Sequence, residues 1–123
     1  MSEAATADAQ VNRPGVFTLT IRSKAALYAA WMPLLRGGGI FLPSNRSHAL
    51  GEEVLILLSL LDDPNKIPLQ GIVAWINPPH GAGNRPQGIG VQLQDSETGR
   101  ELRKKVEGLL AGALQSSRPT HTI

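Results

Sequence analysis

Residues 52–61, EEVLILLSLL, contain the longest apolar stretch of the chain, and the fold has to be built around it. The run from Val54 to Leu61 is interrupted only by Ser59. A membrane-spanning helix needs about twenty apolar residues, so this run is too short to cross a bilayer. A short apolar run bounded by turn residues instead predicts a strand that is buried on both faces or covered by another element.

Other segments alternate with the two-residue period of half-buried strands. In residues 16–22, the side chains of Phe17, Leu19 and Ile21 face one way. The same reading predicts strands over residues 40–42, 69–76 and 89–93, with Trp75 on an inward face. The 13 glycines and 9 prolines among 123 residues predict frequent turns, which favours short strands over long helices.

Two segments change to a helical period. Residues 23–32 predict a short helix with Ser23 as its N-cap, ended by Pro33. Thr98 and Glu101 match a capping box and precede an apolar stripe of Leu102, Val106, Leu109, Leu110, Ala113 and Leu114. The pattern predicts a mainly β fold, a small antiparallel β-barrel with a short helix near the N-terminus and a C-terminal α-helix.

The ends of the chain are polar and show no periodicity. We expect a disordered lead-in over residues 1–13, one folded domain over 14–115 and a mobile tail over 116–123. The start carries Glu3 and Asp8 without an apolar core segment, so it resembles neither a secretory signal nor a transit peptide. The expected location is the cytoplasm, without membrane insertion.

Nothing in the sequence predicts catalysis, a metal site or a cofactor. The absence of cysteine excludes disulfides, thiolate nucleophiles and thiolate metal ligands. The histidines, at 48, 80 and 121, are far apart and favour surface positions, and Ser44, Ser47 and Ser59 lack a nucleophile motif. The formal charge of +2 is too small for a strong field.

Two local motifs favour ordinary structure over ligand binding. Arg36 precedes three glycines, 37–39, whose N–H groups could cradle an anion, but no P-loop pattern is present and a turn is favoured. The basic run at 103–105 favours a solvated helix face over a nucleic-acid surface.

The aromatic residues leave two interpretations open. Phe17, Phe41 and Trp75 belong to strands, whereas Tyr28 and Trp31 lie on the short helix without a basic cluster beside them. A contact with a protein partner fits these two better than base stacking. Alternatively, both simply plug the barrel.

Several segments together resemble the type IV pilus subtype of the PilZ domain family. The resemblance spans residues 16–122 and is specific only in combination; the segments are LYAAWMPLLRGGGIFLPSN (27–45), LGEEV (50–54), GIVAWINP (71–78), GAGNRPQGIGVQL (81–93) and LAGALQSSRPTHT (110–122).

The resemblance implies a six-stranded barrel and a family that often binds cyclic di-GMP through Arg-x-x-x-Arg and Asp/Asn-x-Ser-x-x-Gly motifs. If Gly39 is the motif glycine, Leu34 and Arg36 occupy the other two positions and match neither. Neither Arg13 nor Arg22 has an arginine four residues later. We therefore expect no direct binding of cyclic di-GMP.

The pilus subtype implies a non-catalytic regulatory adaptor in type IV pilus biogenesis and twitching motility. Its implied partners are the pilus assembly (extension) ATPase and an EAL-domain cyclic di-GMP receptor protein. The expected partner-binding residues are Leu27, Tyr28, Trp31 and Met32. A weaker suggestion is strand addition at an edge of residues 54–61. The alternatives are a cyclic di-GMP receptor using Arg36 and Arg85, and a nucleic-acid-binding barrel.

Overall fold

A computed structural model describes residues 7–79 and 86–111 of the protein. Within them the strands and helices, in chain order, are β1 (Ala7–Arg13), β2 (Val16–Ile21), α1 (Lys24–Ala30), β3 (Gly39–Pro43), β4 (Glu53–Leu60), β5 (Ile67–Asn77), β6 (Gly88–Leu93) and α2 (Glu97–Leu109). The predicted mainly β fold with a short helix and a C-terminal helix is confirmed.

The strands form one six-stranded sheet, in the order β1-β2-β4-β5-β6-β3, that curls into a half-barrel. Four neighbouring pairs are antiparallel, as predicted, but β2 and β4 run parallel, with Val16 beside Leu55 and Ile21 beside Leu60. Parallel neighbours need a crossover connection. Here α1 and β3 supply it, because both lie between β2 and β4 in the sequence.

The first strand corrects the prediction of a disordered lead-in over residues 1–13. Residues 7–13 form β1, which pairs with β2 so that Ala9 lies beside Leu19 and Val11 beside Phe17. Ala9 and Val11 are half-buried against the core. The composition of residues 7–13 does not predict this strand, because the strand is stabilised by backbone pairing with β2. Residues 1–6 and the predicted tail over 116–123 lie outside the described residues.

The apolar run that defines β4 is buried mainly on one face. Val54, Ile56, Leu58 and Leu60 are buried, and the intervening side chains are half-buried. The strand lies between β2 and β5, so it has no free edge and the suggested strand addition there is wrong. The free edges in the described sheet belong to β1 and β3, which contact each other without pairing.

Both helices begin at a serine cap. The Ser23 hydroxyl accepts the Ala26 N–H at 3.1 Å, as predicted for α1. For α2 the cap is Ser96, whose hydroxyl accepts the Gly99 N–H at 3.1 Å, so the helix begins earlier than the predicted box at Thr98. The predicted stripe is present where it is described, with Leu102, Val106 and Leu110 buried, while residues 113 and 114 lie outside the described residues.

A bulge in β5 changes the orientation of Trp75. The register against β6 shifts between Val73 and Trp75, which breaks the alternation that predicted an inward Trp75. The side chain is half-buried, and its indole N–H donates to Asn77 Oδ1 at 2.7 Å. Asn77 is buried and in turn donates to the Pro86 carbonyl at 3.1 Å. This chain of hydrogen bonds anchors the end of β5.

The turn between β4 and β5 is tied to α2 through Asp63. Its carboxylate accepts the Asn65 N–H at 2.9 Å and a hydrogen bond from Lys105 Nζ at 3.2 Å. The Asn65 N–H first, and Lys105 second, lower the pKa of Asp63. Because the folded-state pKa is lowered, this stabilisation is present above the ordinary carboxyl pKa and is lost as the pH falls through the lowered value.

We expect deletion of residues 1–13 to lower the thermal unfolding midpoint, because it removes β1 and exposes the edge of β2 and the Phe17 side of the core. Differential scanning fluorimetry of the deletion variant beside the full chain measures the change. An unchanged midpoint would support the disordered lead-in that the sequence predicted.

Candidate functional site

The predicted partner-binding residues lie in the interior of the fold. Leu27 is 0%, Trp31 2%, Met32 3% and Tyr28 7% exposed. Of the two interpretations for the aromatics, the one in which both residues plug the barrel describes their position. A role of these two residues in partner binding stays a prediction.

The burial follows from how the chain leaves α1. Trp31 adopts extended geometry at the helix end, with φ −75° and ψ 134°, and forms an antiparallel bridge with Ile40. The Met32 N–H donates to the Gly39 carbonyl at 2.8 Å. The chain after α1 is therefore held beside β3 by this bridge and this hydrogen bond, and both Trp31 and Met32 are buried there.

The loop that follows, Pro33–Gly38, is held by hydrogen bonds at both ends and in its middle. The Leu35 N–H donates to Met32 O at 3.4 Å, and the Gly38 N–H donates to Leu35 O at 2.8 Å, giving two successive turns. The Gln92 side chain donates to Arg36 O at 3.0 Å. The predicted turn at the glycines is therefore present, and it is fixed to β6.

Gly38 meets two requirements that only glycine satisfies together. Its φ is +89°, in the left-handed region. A Cβ at this position would lie 2.6 Å from Cη2 and 2.7 Å from Cζ2 of Trp31. The Trp31 ring therefore packs directly on the Gly38 backbone.

A cavity of about 400 Å³ lies between this loop and α2, and we call it the loop pocket. Trp31, Leu34, Arg36, Gly38, Arg103 and Glu107 are among its lining residues. The Leu34 side chain is 75% exposed. The indole N–H of Trp31 is buried and finds no hydrogen-bond acceptor among the described residues.

A polar cluster lies on the connection between β3 and β4 and consists of Ser44, His48 and Glu52. Ser44 Oγ and His48 Nε2 are 2.9 Å apart, and His48 Nδ1 lies 3.5 Å from Glu52 Oε2. The His48 side chain is only 6% exposed, and its ring centroid is 5.8 Å from that of Phe17. The His48 side chain is therefore less exposed than predicted for a surface histidine, and it lies beside Ser44 although no nucleophile motif is present.

Sequence spacing could have revealed this cluster, because the three residues recur at every fourth position. The cluster also holds the loop backbone, since Ser44 Oγ accepts the Arg46 N–H at 3.2 Å and Glu52 Oε1 accepts the Ala49 N–H at 3.2 Å. These bonds explain why polar side chains are retained there. The role that these contacts explain is to hold the loop between β3 and β4 in place.

Another surface cavity, with a volume of about 610 Å³, lies over the outer face of β4, β5 and β6. Its lining includes the neutral side chains of Gln70, Gln92 and Gln94 and the carboxylates of Glu53 and Asp95. None of its described lining residues is a lysine or an arginine. A surface of this kind disfavours a ligand with two phosphates.

The described residues contain neither a cluster of metal ligands nor a helix that could span a membrane. Within residues 7–79 and 86–111, no three His, Asp or Glu side chains converge to hold a metal ion. In the same part of the chain, neither helix has the length and hydrophobicity required to cross a membrane.

The comparison with protein families decides the affiliation of the chain. The model of the PilZ domain matches residues 16–112, from the start of β2 to just beyond α2. The chain belongs to the PilZ domain family. PilZ domains are generally non-catalytic binding modules of cyclic di-GMP-related regulation. No curated protein matches the sequence.

The PilZ match begins after β1, so the first strand is an addition to the matched region in this chain. The curled mainly β sheet with its C-terminal helix agrees with the PilZ fold. The loop pocket lies within the matched residues, at the loop that leads to Gly39.

We expect Gly38→Ala to lower the free energy of unfolding by about 1–3 kcal/mol, because the new Cβ overlaps the Trp31 ring at a left-handed position. Gly108→Ala is the matched control, since Gly108 lies in α2 with open space around its Cβ position. That change is expected to stabilise the protein by about 0.5–1 kcal/mol. Urea denaturation of both variants measures the difference, and equal effects would contradict the packing argument.

Proposed function

We propose that this PilZ domain is a cytoplasmic, non-catalytic regulatory adaptor for type IV pilus biogenesis and twitching motility. It acts by binding the pilus extension ATPase and an EAL-domain cyclic di-GMP receptor protein. The observation that carries this proposal is the replacement of the family's ligand motif, because Leu34 and Arg36 fill the two positions ahead of Gly39. The resemblance of five segments to the pilus subtype supports the choice of pathway.

The loss of the ligand motif has a large energetic consequence. A cyclic dinucleotide carries two phosphates, which guanidinium groups bind through charge-assisted hydrogen bonds of roughly 1.5–3 kcal/mol each. Losing two arginines removes on the order of 3–6 kcal/mol, which raises Kd by roughly 10²- to 10⁴-fold. A module without these arginines keeps the fold of its family and responds to the second messenger through another protein.

In this proposal, the buried side chains of Leu27, Tyr28, Trp31 and Met32 lie beneath a partner-binding surface and support it. Their burial holds α1 and the loop before β3 in one geometry. Tyr28, at 7% exposed, is the least buried of the four. We place the ATPase contact at the surface formed by Tyr28 and the residues that pack around it.

Tyr28→Ala is expected to abolish recovery of the extension ATPase in a pull-down, because central aromatic residues contribute about 2–4 kcal/mol to protein interfaces. Since Tyr28 is buried, circular dichroism and the unfolding midpoint must show that the variant is folded. Tyr28→Phe, which keeps the ring, should retain binding.

The matched control for this experiment is Leu50→Ala, which truncates a residue that is 67% exposed outside α1. It should recover the ATPase as the wild type does. Wild-type recovery by folded Tyr28→Ala would remove Tyr28 from the interface.

The second candidate function is direct binding of cyclic di-GMP through Arg36 and Arg85. Arg36 favours it because its side chain is exposed at the loop pocket, while Arg85 lies outside the described residues. Isothermal titration calorimetry with cyclic di-GMP is expected to detect no binding with Kd below about 10 μM. Tighter binding that is lost in the Arg36→Gln, Arg85→Gln double variant would establish the second candidate instead.

A further inference from the structure

The wall of the loop pocket includes a hydrogen-bond donor that the described residues leave without an acceptor. The Trp31 indole N–H is buried and has no acceptor within the described residues. A buried donor without a partner destabilises a protein, because it loses its hydrogen bonds to water and gains none in return, so such groups call for an explanation. The Trp31 side chain forms part of the wall of a cavity that is open to solvent.

The charge of the pocket also favours an anionic group. Arg103 Nε donates to Glu107 Oε2 at 3.2 Å, so these two charges offset each other. The Arg36 guanidinium has no ion-pair partner among the described residues. One positive charge at the pocket is therefore left uncompensated.

An exposed apolar side chain lies two residues before that charge. Leu34 is 75% exposed, and it shares the ordered loop with Arg36. The turns at Met32–Leu35 and Leu35–Gly38 and the Gln92 bond to Arg36 O hold the loop before any partner arrives. Binding through a preorganised loop loses little conformational entropy.

We propose that the loop pocket binds a segment of a protein partner in which a carboxylate lies next to an apolar side chain. The carboxylate pairs with Arg36 beside the Trp31 wall, and the apolar side chain packs on Leu34. This inference rests on the proposed function, because it names the chemistry by which the adaptor recognises a partner.

The same geometry argues against a nucleotide as the occupant. Bases bind to exposed aromatic faces, and the Trp31 ring is 2% exposed and covered by Gly38. A single uncompensated guanidinium matches one carboxylate, whereas a dinucleotide presents two phosphates. The cavity of about 400 Å³ accommodates a few side chains.

Tryptophan indole resonances provide a direct test in ¹H–¹⁵N spectra of the full chain. The protein has two tryptophans, and the Trp75 indole N–H is already bonded to Asn77 Oδ1 outside the loop pocket. Titration with acetyl-Leu-Glu-Leu-Glu-amide should shift the Trp31 indole signal saturably and leave the Trp75 signal in place. The uncharged peptide acetyl-Leu-Gln-Leu-Gln-amide should bind more weakly.

Variants of exposed residues test the two contacts without disturbing the core. Arg36→Gln should weaken peptide binding roughly three- to fivefold, the size expected for an exposed ion pair. Leu34→Ser should weaken it as well, because it removes the apolar contact. Lys66→Gln, which removes the same charge from an exposed turn, should leave binding unchanged.

The outcomes separate this inference from the proposed function. A Trp31 signal that does not move, or moves equally in Arg36→Gln, overturns the inference, as does a saturable shift with cyclic di-GMP in its place. If the peptide does not shift the Trp31 indole signal while the wild type still recovers the extension ATPase, only the pocket assignment fails. If the peptide binds as described and no pilus protein is recovered, the pocket assignment is supported and the pilus function fails.

Discussion

The contact between the Trp31 ring and the Gly38 backbone is the constraint on which the rest of this architecture depends. It lets the chain leave α1, run beside β3 and turn back within one short loop. The Gly38 carbonyl then accepts the Leu93 N–H at 3.1 Å, which ties the loop to β6. The end of α1, the loop and the strands β3 and β6 therefore meet at Gly38. A residue larger than glycine would not fit there, because its Cβ would overlap the Trp31 ring.

This contact also separates the packing of the loop from its outward side chains. The loop carries Leu34 and Arg36, both exposed, ahead of Gly39. The scaffold holds the loop through its backbone and through Trp31, so its outward side chains are free to change. A different side chain at these positions therefore requires no change in the core.

The crossover through α1 and β3 has a further consequence for the sheet. It places β2 beside β4 in parallel and leaves β3 at the far edge, next to β6. Because β1 adds to the outside of β2, the edges β1 and β3 come into contact without hydrogen bonding. The sheet is therefore a half-barrel with its apolar strand β4 protected in the interior.

The sequence by itself determined the elements whose stabilisation is local or follows a simple period. The alternation around Leu19, the Ser23 cap and the apolar stripe of α2 are visible in the residues because each depends on near neighbours in the chain. Leu34 and Arg36, ahead of Gly39, were likewise visible in the sequence, and they are the basis of the expectation that the chain does not bind cyclic di-GMP directly.

Only the tertiary structure decided the rest, because it depends on partners distant in sequence. The strand β1 exists through pairing with β2, the inward turn of Trp31 through its bridge to Ile40, and the half-burial of Trp75 through a bulge against β6. No local sequence pattern predicts the loop pocket either, because the loop and α2, which form its two sides, lie more than sixty residues apart in the sequence. Short-range patterns encode periodicity and caps, whereas burial and pockets arise only when separate segments pack together.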